Sequence, residues 1–101
     1  MRGTDVYLMI STYLAPLDEI DQVRADHLAF LGKLSEAGVL VSAGRQNPPA
    51  GGVVLLDAAT AQQARDLMAD DPYVRHGLAR YEAVGWQPSI GVLADWTSAR
   101  A

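Results

Sequence analysis

Apolar side chains follow two different spacings along the chain, and these spacings predict its strands and helices. Runs rich in β-branched, aromatic and aliphatic residues favour strands at residues 5–13, 39–46, 53–58 and 79–86. Between the first two runs, apolar side chains recur at intervals of three and four residues, as on one face of a helix, at Ile20, Val23, His27, Phe30, Leu31 and Leu34. A shorter helix has its apolar face at Ala61, Ala64, Leu67 and Met68. The predicted order of elements is therefore β-α-β-β-α-β.

Start and stop signals set the ends of the two predicted helices. Asp18 is the predicted N-cap of the first helix, Gly38 is its C-terminal stop, and Thr60 caps the second helix. Pro72 disfavours helical geometry at the residue before it, so the second helix is predicted to end at Asp71. A carboxylate there lies at the negative end of the helix dipole, which is unfavourable. Such a conflict indicates either a turn or a functional site.

The order of elements is typical of an α+β, ferredoxin-like fold, in which four antiparallel strands carry both helices on one face. Two helices leave the other face uncovered, so we expect it to pack against a second copy of the chain in a two-fold dimer. The predicted domain covers residues 1–88. Residues 89–101 form a tail with the large apolar side chain of Trp96, and this tail is expected to add an edge strand or a short helix, or to wrap around the partner.

Composition and charge exclude several classes of partner and cofactor. A formal net charge of −4 with scattered basic residues does not suit a nucleic-acid-binding protein. The absence of cysteine excludes thiolate catalysis, disulfides and cysteine zinc sites. The two histidines lie far apart without clustered carboxylates, and no phosphate or dinucleotide motif is present, so we expect no metal and no cofactor. The apolar run at 6–10 is too short for a signal peptide or a membrane span, which favours a cytoplasmic protein without membrane association.

His27 and Asp71 are the candidate catalytic residues. A lone histidine on an apolar helix face is often a core residue with one satisfied hydrogen bond. It acts as a general base when a carboxylate fixes its tautomer and stabilises the cation that forms. Because both helices lie on one face of the predicted sheet, the end of the second can approach the first. Asp71 is then either that carboxylate or a turn residue that bonds a nearby backbone amide.

Five further residues are candidates for binding a substrate. Arg45 and Gly44 end the second strand beside a flexible loop, and Arg45 either binds an anionic or carbonyl oxygen or forms a surface ion pair. Tyr7 and Tyr73 either line a pocket with their hydroxyls or serve only in packing. Arg24, on the first helix, either pairs with a ligand or a carboxylate, or is solvated.

Two segments resemble the YCII-related family of the dimeric α/β-barrel superfamily, and the match runs from residue 5 to residue 88. The segments are RADHLAFLGKLSEAGVLVSAGRQNPPAGGVVLL and ADDPYVRHGLARYEAVGWQP. The features that match are the His-Leu pair at 27 and 28, Gly38, Ala43-Gly44, Gly51-Gly52-Val53 and Asp71-Pro72-Tyr73. The resemblance implies a subunit that dimerises through its sheet, with an active site around the His and Asp that match His27 and Asp71. No cofactor follows from these residues.

The resemblance leaves the reaction open, since one fold hosts several activities. A related branch includes a dehydrochlorinase of chlorinated hydroxyhydroquinone, and the superfamily includes muconolactone isomerase and both haem-dependent and cofactor-free monooxygenases.

Three hypotheses about function follow. In the first, the protein is an enzyme in which His27 takes a proton from a phenol or from a carbon next to a carbonyl, and Asp71 orients His27. Arg45 or backbone amides near Gly44 then stabilise the developing oxyanion. In the second, the protein is a dimeric module that binds a metabolite without converting it. In the third, it is a monooxygenase, whose haem form would require His76 as the axial ligand.

Overall fold

Four antiparallel strands form one sheet in the order β2-β3-β1-β4. The computed structural model describes residues 6–100. Its elements are β1 (Val6–Tyr13), α1 (Leu17–Glu36), β2 (Leu40–Arg45), β3 (Gly52–Leu56), α2 (Ala61–Met68), α3 (Pro72–Arg75), β4 (Ala79–Trp86) and α4 (Val92–Arg100). The predicted α+β, ferredoxin-like arrangement is confirmed. Asp5 of the first predicted strand and Ala101 of the predicted tail lie outside the described residues.

The strand register gives the sheet two distinct sides. Met9 of the central strand β1 lies opposite Val54 of β3 and Ala83 of β4. Side chains alternate along a strand, and Met9 packs in a core cluster with residues of α1 and α2. Odd-numbered residues of β1 therefore lie on what we call the helix side of the sheet, and even-numbered residues lie on the open side. β2 and β3 pair as the predicted hairpin, with Arg45 opposite Gly52.

The core of the helix side consists of two clusters. The larger one joins β1 and β3 to α1 and α2, and its buried members are Met9, Leu31, Val54, Leu56, Ala58, Ala64 and Met68. The smaller one joins α1, α3 and β4 through Ile20, Tyr73 and Ala79. Ile20 and Leu31 are the buried residues of the predicted apolar stripe on α1, and the spacing prediction for this helix is confirmed.

Three of the helix boundaries compare directly with the sequence signals. Gly38 has φ +80° and follows the end of α1, and the Thr60 hydroxyl accepts a hydrogen bond from the Gln63 amide, so both predictions are confirmed. Asp18 as N-cap is wrong. α1 begins two residues earlier, at Leu17, and its N-cap is Pro16, whose carbonyl accepts from the Glu19 amide. Asp18 instead lies in the first helical turn, where a negative charge is favourable.

The second predicted helix ends earlier than expected and is followed by a further short helix. α2 ends at Met68, and Asp71 is the N-cap of α3, with Pro72 as its first residue. The prediction that α2 extends to Asp71 is therefore wrong. Asp71 lies at the positive end of a helix and not at the negative end, so the electrostatic conflict inferred from the sequence disappears.

The tail forms the helix α4 from Val92 to Arg100. Thr97 is buried within it, whereas Ile90 and Val92 at its start are strongly exposed. Within residues 6–100, no helix combines the length and the apolar composition that crossing a membrane requires.

Candidate functional site

A cavity of about 140 Å³ lies between α1 and the helix side of the sheet. It is lined by Ser11, Tyr13, Arg24, His27, Leu28, Leu31, Ala43, Gly44, Arg45, Gly52, Val54, Tyr73 and Tyr81. Leu31 and Val54 belong to the larger core cluster, and Tyr73 belongs to the smaller one. The cavity therefore lies at the place where the two clusters meet.

The floor of the cavity is open because the strands carry small residues there. Ala43 and Gly52 occupy positions on the helix side of β2 and β3, next to the buried Ser11 of β1. The Gly52 amide donates to the Ser11 hydroxyl at 2.7 Å, which joins β1 to β3 beyond their last paired residues. Larger side chains, Met9 and Leu56, fill the same side of the sheet farther along. Space remains at this end because side-chain volume falls there.

One face of α1 forms the roof of the cavity. Arg24, His27, Leu28 and Leu31 follow the spacing of three and four residues that brings side chains onto one helix face. Arg24 and Leu28 lie on the exposed part of that face, while Leu31 is buried. His27, on the same face, is intermediate in burial, and its side chain is 12% exposed.

His27 and Asp71 are in hydrogen-bond contact. His27 Nδ1 lies 2.8 Å from Asp71 Oδ1, and the Asp71 side chain is fully buried. An ionised carboxylate only accepts hydrogen bonds, so we infer that Nδ1 carries the hydrogen and donates it to Asp71. In the neutral imidazole, Nε2 then carries the lone pair, which is the requirement for a general base.

Asp71 has three donors, one of which the sequence did not indicate. The Tyr73 amide donates to Oδ1 at 3.0 Å, as expected for an N-cap, and the Tyr81 hydroxyl donates to Oδ2 at 2.7 Å. The two interpretations of Asp71, as a turn carboxylate and as the partner of His27, therefore describe the same side chain. Tyr81 was missed. Its signal was its odd-numbered position between Ala79 and Ala83 on β4, which places it on the helix side opposite Ser11.

Tyr73 covers one face of the His27 ring. The two ring centroids are 4.0 Å apart and the ring planes differ by 11°, so the rings are stacked. Tyr13 meets Tyr73 edge-on at 6.0 Å. The Tyr73 hydroxyl is buried and has no hydrogen-bond partner among residues 6–100.

Arg45 forms the ion pair that the sequence left as one alternative, and it also lines the cavity. Its guanidinium donates to the Asp21 carboxylate and, through Nε, to the Tyr13 hydroxyl at 3.1 Å. The hydrogen bond to Asp21, followed by that to Tyr13, raises the pKa of Arg45 above its ordinary value. Arg45 is therefore a fixed positive charge at one wall of the cavity.

The remaining predicted residues divide into those at the cavity and those away from it. Arg24 and Gly44 line it. Tyr7 does not, because the register places it toward the other end of β1, where its ring lies against Gly85. The suggestion that Tyr7 lines the pocket is therefore wrong. His76 is exposed at the end of α3, outside the cavity lining.

In the part that the structure describes, no three His, Asp or Glu side chains cluster in a way that could hold a metal ion.

Comparison with solved structures finds an enzyme with a similar fold. This is the 5-chloro-2-hydroxyhydroquinone dehydrochlorinase TftG from Burkholderia phenoliruptrix AC1100, in a complex with 2,5-dihydroxybenzoquinone. The TM-score is 0.65 at 16% sequence identity, and the alignment covers 86% of this chain and 95% of TftG. At this identity the likeness establishes the fold. Comparison with curated proteins finds no match.

The resemblance noted in the sequence is confirmed by a family profile. The profile of the YCII-related domain matches residues 6–87, which is most of the chain. The protein therefore belongs to the YCII-related family.

Proposed function

We propose that the protein is a small-molecule enzyme in which His27 is the general acid and base and Asp71 is its positioning residue. The observation that carries the proposal is the 2.8 Å contact between His27 Nδ1 and a fully buried carboxylate at the wall of a cavity. The expected substrates are phenols, lactones or other carbonyl compounds, because their reactions begin with removal of a proton by a general base.

The proposed reaction begins at His27 Nε2, the ring nitrogen that faces away from Asp71. Nε2 takes a proton from a phenol, or from a carbon next to a carbonyl, and the electron pair left behind becomes an oxyanion on the substrate. The Asp71 carboxylate stabilises the imidazolium that forms. Arg45, or backbone amides near Gly44, stabilise the oxyanion.

Two reaction types suit this arrangement. In an elimination, the oxyanion expels a leaving group such as chloride; the name of TftG describes such a dehydrochlorination. In an isomerisation, His27 returns the same proton to another atom of the substrate. Membership of the YCII-related family and the likeness to TftG support a reaction of this kind.

The proposal is tested by turnover of a panel of phenols, lactones and chlorinated hydroquinones. We expect His27→Ala and Asp71→Asn to lower kcat/KM by about 10²- to 10⁴-fold, the usual contribution of a positioned general base. His76→Ala and Asp70→Asn are the matched controls, because both side chains are exposed and neither lines the cavity. Equal turnover in the native protein and both site variants would contradict the proposal.

The positioning role of Asp71 has a readout that does not depend on turnover. In the native protein, ¹⁵N NMR of the His27 ring is expected to report hydrogen on Nδ1. Asp71→Asn is expected to shift the ring toward the other tautomer, since an amide NH₂ can donate to Nδ1. An unchanged tautomer would contradict the positioning role.

A binding module without catalysis is the second candidate, and the cavity itself favours it. The outcome that identifies it is a rise in Tm with ligands of the panel and no conversion of any of them.

A further inference from the structure

The Tyr73 hydroxyl is a buried polar group with the Arg45 guanidinium close to it. The residue is 2% exposed, it lines the cavity, and its hydroxyl has no hydrogen-bond partner among the described residues. A buried hydroxyl without a partner is costly, and native proteins rarely keep one without a reason. Burial, followed by the nearby Tyr13, raises the pKa of this phenol above its ordinary value of 10.0, against the opposing charge and hydrogen bonding of Arg45 and the charge of Arg24. Tyr73 is therefore a neutral donor at physiological pH.

One cation at the cavity has no carboxylate partner among the described residues. Asp71 is a buried carboxylate that three donors stabilise, and the Arg45 guanidinium is paired with Asp21. Arg24 lines the cavity and, within residues 6–100, makes no ion pair or hydrogen bond. A negatively charged group entering the cavity thus meets an unpaired guanidinium, a second guanidinium and a phenol donor.

The size and walls of the cavity restrict the shape of its ligand. Its volume of about 140 Å³ is close to the roughly 150 Å³ of an engineered apolar cavity that holds benzene. Leu28, Leu31 and Val54 are apolar lining residues, which suit a ring, and Tyr73 and Arg24 are polar lining residues, which suit an anionic substituent.

We propose that the cavity binds a compound with a single six-membered ring and one anionic oxygen substituent, and that Tyr73 and Arg24 bind that oxygen. Tyr73 is stacked on His27, so an oxygen bound by its hydroxyl brings the attached ring next to the imidazole. This inference rests on the proposed function in so far as the same cavity holds the substrate. It adds the class of substrate and assigns binding roles to two residues outside the His27–Asp71 pair.

The test measures binding of ring compounds that differ in charge and little else. Benzoate and 4-nitrophenolate are the anions, benzamide and 4-nitroaniline are their neutral counterparts, and calorimetry gives the Kd of each. In the pair whose anion fits the cavity, we expect the anion to bind at least about tenfold more tightly than its neutral counterpart. This is the gain expected from a hydrogen bond to a charged group. The two pairs distinguish a carboxylate ligand from a ring-bound oxygen.

Variants then assign the effect to the two residues. Tyr73→Phe keeps the ring that stacks on His27 and removes only the hydroxyl, so we expect the Kd for the anion to rise about tenfold or more and that for the neutral compound to stay nearly constant. Arg24→Gln is expected to weaken anion binding and its dependence on salt. Tyr7→Phe and Arg75→Gln are the matched controls, since both residues lie outside the cavity lining. Melting curves of all four variants verify that they are folded.

The outcomes separate this inference from the proposed reaction. Equal affinity for anions and neutral compounds, or unchanged anion binding in Tyr73→Phe, overturns the inference. If turnover in the same protein still depends on His27, the proposed reaction stands without it. Anion binding that requires Tyr73, in a protein that converts no substrate of the panel, supports the inference and counts against the reaction.

Discussion

Asp71 is fully buried, and each of its carboxylate oxygens accepts at least one hydrogen bond. A buried charge is tolerated only when such donors replace the water that it loses. One donor comes from the backbone of α3, one from α1 through His27, and one from β4 through Tyr81. The carboxylate thus fixes three elements relative to one another as well as orienting the imidazole. For this reason Asp71→Asn, which keeps the shape of the side chain, is a better probe of chemistry than Asp71→Ala.

Tyr81 carries a prediction about pH. Burial, followed by the charge of Asp71, raises the pKa of this phenol above its ordinary value of 10.0. Above about pH 10 the unfolded chain releases this proton while the folded chain retains it, so the folded state binds more protons and stability falls as pH rises. The loss is about 1.4 kcal/mol per pH unit for one such group. Tyr81→Phe removes this contribution, and we expect a shallower fall in the free energy of unfolding.

Chemical denaturation at about pH 8 and about pH 10.5 measures this slope. Near neutral pH, Tyr81→Phe is expected to be less stable than the native protein by about 1–3 kcal/mol, because Asp71 Oδ2 loses its donor. Tyr7→Phe removes a phenol outside this network and is the matched control. If the free energy of unfolding falls equally steeply with pH in the native protein and in Tyr81→Phe, the raised pKa of Tyr81 is not the cause of the fall.

At the scale of elements, the loop between β2 and β3 is held tightly against β1. The Tyr13 amide donates to the Ala50 carbonyl, and the Gln46 side-chain amide donates to the Ser11 carbonyl at 3.2 Å. Gly51 lies so close to β1 that a Cβ atom there would be 1.8 Å from the Ser11 carbonyl oxygen. Glycine is required at this position by the close approach of two backbones. The floor of the cavity depends on that approach, because Ser11 and Gly52 are part of it.

Gly51→Ala is therefore expected to destabilise the protein by about 1–3 kcal/mol, since a methyl group forces the loop away from β1. It should also weaken ligand binding in the cavity. Gly32→Ala is the control: nothing lies within 4 Å of a Cβ there, and removing a glycine from the interior of α1 should add about 0.5–1 kcal/mol. Thermal melting of the two variants compares them, and a similar change in both would contradict the argument.

Sequence reasoning found the elements that have a regular spacing and missed those that do not. The stripe on α1 and the hairpin of β2 and β3 follow from periodicity and turn residues. α3 has four residues, too few for a helical period, and so Asp71 was assigned to the wrong helix. Tyr81 was missed because a tyrosine on a strand does not reveal which buried group it meets. The cavity itself depends on strand register, which places Ala43 and Gly52 side by side only in the folded chain.

At the scale of the whole molecule, the open side of the sheet is apolar. Its register pairs place Leu8 opposite Leu55 and Val84, and Ile10 opposite Val53. Val84 and Trp86 are about two-fifths exposed, at 39% and 40%. The surface becomes polar at Thr12, Arg80 and Glu82, as at the rim of an interface. Val6 and Leu55 on this side are already buried within one chain, and the exposed part around Val84 and Trp86 supports our proposal that two copies pack through this face, as expected from the sequence.

Val84→Asp is expected to convert a dimer into a monomer. A two-fold interface contains residue 84 of both copies, so the substitution would bury two unpaired carboxylates in the interface. Light scattering coupled to size exclusion measures the mass. Leu14→Asp is the control, since Leu14 is 52% exposed and lies beyond the end of β1. A native protein with the mass of a single chain would refute the proposed dimer.

The cavity takes its floor from small strand residues, while its proposed general base lies on the helix α1. Ala43 and Val54 line the floor and take no part in the hydrogen bonds of the His27–Asp71 pair. A substitution at either position changes the room available to a ligand and leaves the proton-transfer geometry in place. Single substitutions in the floor can therefore allow new substrates to bind before the mechanism changes. For directed evolution, the floor is the place to randomise, and the roof is the place to keep.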